Sequence, residues 1–251
     1  MIEKLNVRAV IFDAVGTLFY ASPSVTSVYA QVGRRHGSQL TTDEVDNRFG
    51  PAFLEHYSNK QSTILAQQLA QQLDQQLAQQ LDQQLAQQLD QQLERQCWQR
   101  VVNAVFADQD VDTAAILEEL WEHFARPTSW TMFEDAAAAW SELAQSGLVM
   151  GIASNFDNRL LSVCEGFQLL QKCEHIYNSA DVGFAKPDIR FFQHIQRQLD
   201  MPADQICLIG DDEKNDFQAA KNAGWKSLLI DRQNKSAVEN DKLSSLRELL
   251  E

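Results

Sequence analysis

The feature that most constrains the fold of this chain is a set of short runs, apolar almost throughout, each stopping on a polar residue or a glycine. Val7 to Phe12 stops at Asp13, Leu148 to Ala153 stops at Ser154, and Ile206 to Ile209 stops at Gly210-Asp211; Ser227 to Ile230 closes the series. A strand with one wet face alternates apolar and polar residues, whereas a parallel strand covered on both faces reads as a continuous apolar run. Helical patterns separate the runs, from about Asp135 to Gln145 (ending at Gly147), after Asn155, from Asp188 to Leu199, and after Asp211; Ile176-Tyr177 adds one further short apolar step. Strands alternating with helices predict an α/β fold, a parallel sheet with helices on both faces.

The alternation is interrupted after its first strand. Helices are expected over 24–36, over 42–58 with Thr42 as cap ahead of Asp43 and Glu44, and over 97–125 in two parts broken near Asp108 to Thr113. Trp98, Val101, Val102, Val105 and Phe106 share one apolar face. No strand signal occurs between about 20 and 130. The expected organisation is therefore a core of residues 1–19 and 131–251, with a helical module at 20–130 inserted into it.

Inside the insert, L-A-Q-Q-L-D-Q-Q repeats place leucine at 65, 69, 73, 77, 81, 85, 89 and 93. Ala, Leu and Gln favour helix. A period of four outruns the helical turn, so each leucine advances about 40° and the leucines spiral round the helix rather than forming a heptad seam. The stretch reads as a low-complexity expansion of a helix, with self-association through 65–93 as the alternative to a monomer. Leu, Gln and Ala supply no acid, base or nucleophile.

At 251 residues the chain is long enough for a sizeable core, and its net charge of −14 argues against nucleic acid or an anionic membrane as main partner. A small phosphorylated substrate needs only local positive charge or a metal. Cys97, Cys164, Cys173 and Cys207 form no C-x-x-C pair and are expected to be buried thiols of a reducing compartment. The opening M-I-E-K-L-N-V-R lacks the apolar core of a signal peptide, and no run is long enough to span a membrane, so a cytoplasmic location is expected.

Chemistry-bearing residues gather at the predicted strand ends, where open α/β sheets bind ligands. These are Asp13; Ser154 and Asn155; Lys186 in G-F-A-K-P-D; and Asp211, Asp212 and Asp216 in G-D-D-E-K-N-D. Singly, each has a plain structural reading as turn, cap or solvated charge. Jointly, carboxylates from two strands suit Mg²⁺, a hydroxyl and an ammonium suit phosphoryl oxygens, and a further carboxylate can act as nucleophile.

F-D-A-V-G-T-L-F, A-S-N, A-K-P-D and G-D-D-E-K-N-D resemble, in order, the four motifs of the haloacid dehalogenase-like (HAD) hydrolase superfamily. With S-N-F-D-N-R-L and the Trp98 helix, they look like the subgroup of haloacid dehalogenase-like hydrolase domain-containing protein three. The resemblance covers nearly the whole chain apart from the glutamine repeat. It implies a Rossmann-like core with an inserted α-helical cap, and a hydrolase using Mg²⁺. By position, it makes Asp13 the nucleophile and a metal ligand, and Thr17 an orienting residue of the loop. Ser154, Asn155 and Lys186 would bind the phosphoryl group. Asp211 would hold the metal, with Asp212 or Asp216 in support and Val15 contributing its backbone carbonyl.

Val15 departs from the pattern. The family's phosphatases carry there an aspartate that protonates the leaving oxygen and later activates water. Loss of such a group costs about 10²–10⁴ in rate. Three readings follow: a substrate with a good leaving group such as an acyl phosphate, a substitute acid for which His36 and His56 are candidates, or a phosphate and metal binder that turns over slowly. A haloacid dehalogenase, which needs no leaving-group acid, is a further alternative. It works without metal, however, and the acid retained at Asp211 favours Mg²⁺ and phosphate.

Overall fold

In the computed structural model, which describes residues 2–56 and 83–251, the apolar runs are strands. In chain order the strands are β1 (Ala9–Phe12), β2 (Phe19–Ala21), β3 (Trp130–Met132), β4 (Val149–Ser154), β5 (His175–Asn178), β6 (Ile206–Gly210), β7 (Lys226–Ile230) and β8 (Lys242–Leu243). Six of them form one sheet in the order β5-β4-β1-β6-β7-β8, with every neighbouring pair parallel. β1 is central, and all four of its residues are buried, as its unbroken apolar run requires. Phe12 pairs with Ile152 on one side and Ile209 on the other, so Asp13 emerges level with the ends of β4 and β6. The chain runs outward from β1 through β4 to β5, then returns across β1 to β6. That reversal is where open α/β sheets form their binding crevice.

Helix Ile189–Leu199 shows how a sheet face is covered. Asp188 caps it by accepting a hydrogen bond from the Arg190 amide, and Phe191, Phe192, Ile195 and Leu199 are buried along one side. They pack in a cluster with Ile11, Leu208 and Trp225, each large side chain contributing about 1.5–3 kcal/mol through burial.

The chain divides into two compact units, Met1–Ala21 with Trp130–Glu251, and Ser22–Ser129. The second unit is helical. Its described helices are Val25–Arg35, Thr42–His56, Gln83–Val105 and Thr113–Ala125. Tyr29, Phe49, Phe53 and Trp98 join in a run of ring contacts between the first three. The Leu/Gln repeat lies outside the described residues as far as residue 82; from Gln83 it continues as helix.

Three expectations need correction. The junctions of the insert in the chain are not strand-free, because β2 pairs antiparallel with β3. Three residues are too few to display a period, so the pattern was silent there. The cap of the second helix is Thr41 rather than Thr42. The Thr41 hydroxyl accepts from the Glu44 amide, and the Glu44 carboxylate accepts from the Thr41 amide, a reciprocal capping box. Cys173 is half-buried rather than buried, while Cys97, Cys164 and Cys207 are buried.

Candidate active site

Asp13 leaves β1 with its amide bonded to the Ile209 carbonyl at 2.8 Å, which holds its backbone against β6. The turn that follows needs Gly16, where φ is +91° and a Cβ atom would lie 2.2 Å from Asp211 Oδ2. Only a residue without a side chain allows that close approach. The next residue, Thr17, is fully buried and directs its hydroxyl toward Asp211 Oδ1 at 3.4 Å, so it links the end of β1 to the end of β6.

Lys186 is the electrostatic centre. Its ammonium donates to Asp13 Oδ1 at 2.7 Å, to Asp216 Oδ1 at 2.5 Å and to the Ala153 carbonyl at 2.9 Å, using all three protons in a buried position. Burial alone disfavours the charged ammonium, but the two carboxylates outweigh it and raise the Lys186 pKa above the ordinary lysine value. Asp216 is equally buried. Its second oxygen accepts from the Asp212 amide at 3.1 Å, so both oxygens are engaged. Its approach to β6 is so close that Gly210 admits no side chain.

Asp13, Asp211 and Asp216 each bring a carboxylate oxygen to within 4.8 Å of the others. Asp211 is open to solvent at the strand end yet crowded by protein. Burial first, and then the charges of Asp13 and Asp216, push its carboxyl up to about 7. Asp216 is raised in the same way, mainly by burial. Three acids against one ammonium leave an excess of negative charge, which a cation would relieve. The donor set suits a hard divalent ion, since the Asp13 and Asp211 carboxylates are oxygen donors at the ends of two different strands. Asp216, tied to Lys186 and to the Asp212 amide, supports them from behind.

Asp212 and Asn155 differ from the expectation. The Asp212 side chain is exposed and caps the π-helical turn Glu213–Gln218, accepting from the Lys214 and Asn215 amides at 2.8 Å each. It is turned away from the acid cluster because unpaired amides at a helix start compete for it. Asn155, expected to bind substrate, instead engages the main chain of Lys186 with its amide. Its Nδ2 donates to the Lys186 carbonyl and its Oδ1 accepts from the Lys186 amide, both at 2.8 Å. Ser154 is buried at the end of β4, where its hydroxyl oxygen accepts weakly from the Phe156 amide at 3.4 Å. Val15 forms a single bridge to Phe19 within the turn. His36, in the helical unit, has its Nε2 3.0 Å from Glu119 Oε2.

The space requirements at Gly16 and Gly210 escaped the reading of motifs. Gly210 directly before Asp211, and Gly16 three residues after Asp13, are the signals that could have disclosed them. A carboxylate held by a buried lysine beside a second acid, all gathered at one end of a parallel sheet, is the architecture of the haloacid dehalogenase-like hydrolases. The chain belongs to that family, whose model matches residues 7–224. It is 26% identical over 233 residues to haloacid dehalogenase-like hydrolase domain-containing protein 3 of Danio rerio, covering 91% of this chain and 87% of that protein. Its fold is similar to that of the defluorinating L-2-haloacid dehalogenase Rha0230 (TM-score 0.68, 17% identity, 97% and 93% of the two chains). It is likewise similar to the magnesium-bound HAD hydrolase YfnB of Bacillus subtilis (TM-score 0.66, 14% identity, 97% of each chain).

Proposed function

We propose that this hydrolase cleaves a small phosphorylated metabolite with a good leaving group, such as an acyl phosphate, through an aspartyl-phosphate on Asp13 and with Mg²⁺ as cofactor. The observation that carries this reading is the placement of Asp13 between Lys186, 2.7 Å from its Oδ1, and Asp211, in one cluster of acids. Lys186 holds the Asp13 carboxylate in place through Oδ1, and that carboxylate would supply the attacking oxygen. Asp13 and Asp211 would hold the ion, which supplies positive charge to the phosphoryl oxygens.

In the first step an Asp13 oxygen bonds to phosphorus, and the bond from phosphorus to the leaving oxygen breaks. The leaving group takes the electron pair and departs as an anion. Water then attacks phosphorus, the bond to Asp13 breaks, inorganic phosphate leaves and a proton passes to solvent. Lys186 and the Ser154 hydroxyl meet the charge on the transferring group, the main source of stabilisation in phosphoryl transfer. A carboxylate leaving group needs no proton, which suits a site whose usual proton donor is replaced by Val15.

A second reading, a phosphate and metal binder with slow turnover, also draws on Val15. The dehalogenase reading is weaker. Without a cation, the retained Asp211 would repel both the Asp13 nucleophile and the carboxylate of a haloacid.

The test is hydrolysis of acetyl phosphate and p-nitrophenyl phosphate, with Mg²⁺ and with chelator, by wild type and Asp13→Asn. Expected is Mg²⁺-dependent turnover, faster on acetyl phosphate, that disappears in Asp13→Asn. Activity surviving that substitution removes the nucleophile assignment. Chloride release from 2-chloropropionate in chelator would favour the dehalogenase.

A further inference from the structure

We infer that Arg232 is a positioning residue for the nucleophile loop, holding the Thr17 peptide in place from the end of β7. The inference rests on the proposed phosphoryl-transfer reading for its effect on rate, and on geometry alone for its effect on the loop.

Arg232 stands two residues beyond β7, at the sheet end that carries Asp13, Ser154 and Asp211. Its guanidinium lies 3.9 Å over the Phe133 ring. Nη1 donates to Asp135 Oδ2 at 2.6 Å, and Nη2 donates to the Thr17 carbonyl at 2.9 Å. The third nitrogen, Nε, is buried with no hydrogen-bond partner among the described residues. The planar fork is thus aimed by stacking and by Asp135, with one nitrogen committed to the loop.

Asp135 is in turn fixed from the C-terminal segment. Its Oδ2 accepts from the Ser245 hydroxyl at 3.0 Å and from the Leu246 amide at 2.9 Å. A chain of contacts therefore runs from the last turn of the protein through Asp135 and Arg232 to the Thr17 peptide.

The target matters because of where the Thr17 peptide sits. Its own hydroxyl faces Asp211 and its preceding residue is Gly16, which has no side chain to resist rotation. Rotation of the Thr17–Leu18 peptide would move that hydroxyl and alter the gap between Asp13 and Asp211. A displacement of about 1 Å at such a site can cost about 10²-fold in rate.

Full-length wild type, Arg232→Met, Arg232→Lys and Asp135→Asn are compared by hydrogen exchange over peptides covering residues 13–19, by thermal denaturation, and by steady-state hydrolysis of acetyl phosphate. Arg232→Met is expected to speed exchange over 13–19 and to lower kcat about 10- to 100-fold with little change in KM, with partial recovery in Arg232→Lys. Asp135→Asn is expected to lower Tm, and to speed exchange over 13–19 and lower kcat by less than Arg232→Met does, because the Phe133 ring still orients the guanidinium. The inference is overturned if exchange over 13–19 is unchanged in Arg232→Met. It is also overturned if Arg232→Met and Asp135→Asn lose Tm and loop protection equally, the mark of a structural staple. If Arg232→Met does not fold, Arg232→Lys is read by the same criteria. A wild type inactive on acetyl phosphate as well as on phosphate esters would remove the phosphoryl-transfer reading, while the exchange comparison still decides the role of Arg232.

Discussion

Lys186 Nζ lies 2.7 Å from Asp13 Oδ1, joining side chains 173 positions apart in the chain. The same ammonium bonds Asp216 at 2.5 Å, so it is the counter-ion that lets two buried carboxylates stand side by side. Removing one partner of a buried ion pair costs about 3–5 kcal/mol because the other charge stays buried. Lys186→Met is therefore expected to lose about that much stability to urea at pH 8 without divalent metal. The loss should shrink at pH 5, where the orphaned carboxylates can take up protons. Equal urea midpoints for wild type and variant at pH 8 would contradict this account.

Val15 gives a gain-of-function prediction. Val15→Asp restores an acid two residues after Asp13. Turnover of a substrate with a poor leaving group, such as an alkyl phosphate, is expected to rise by about 10²–10⁴. Acetyl phosphate, whose leaving group needs no proton, should respond far less. Steady-state kinetics on the two substrates measures the ratio; equal responses would mean that proton donation is not what the site lacks.

Asn155 clamps the main chain of Lys186 through both ends of its amide. Asn155→Ala removes both bonds, and Asn155→Asp keeps the acceptor but sets an oxygen against the Lys186 carbonyl. Both are expected to lower kcat about tenfold or more through misplacement of Lys186, with a smaller change in KM. A rise in KM at constant kcat would instead return Asn155 to the role of a substrate contact.

The acid cluster sets a pH dependence. Burial, and then neighbouring carboxylates, raise Asp211 to about 7 in the folded protein from an ordinary 3.8. Between those values the folded state binds more protons than the unfolded one, so this contribution to stability falls as pH rises from about 4 through 7. Burial lowers the pKa of His123 and of His194, which gives a slope of the opposite sign near neutrality. The measurement is therefore the difference between wild type and Asp211→Asn. In chelator, that difference is expected to move against wild type from pH 5 to pH 8. Mg²⁺ should offset it in wild type alone, since the ion takes the place of the proton. A difference that does not vary with pH in chelator would count against the raised carboxyl.

Much of the core was legible because its signals are local. An unbroken apolar run reports a strand covered on both faces, and a polar residue at its end reports the sheet edge where ligands bind. Asp13, Ser154 and Asp211 could be picked out on that basis, and Lys186 and Asp216 from the motifs A-K-P-D and G-D-D-E-K-N-D. β2 and β3 could not, because each has three residues and is held by the other across the insert. The division of labour among the acids was equally hidden. Asp212 and Asp216 stand four positions apart in one motif, yet one caps a turn at the surface while the other is buried against Lys186.

The sequence by itself determined which strands would be buried, where the chain is interrupted, and which residue types reach the strand ends. These follow from hydrophobic patterning and backbone preference, which act over a few residues. Only the tertiary structure decided that Asn155 holds Lys186, that Gly16 and Gly210 make room for Asp211 and Asp216, and that Arg232 reaches the Thr17 carbonyl. Those relationships depend on distances of a few ångströms between segments remote in the chain, and the packing of the sheet sets them.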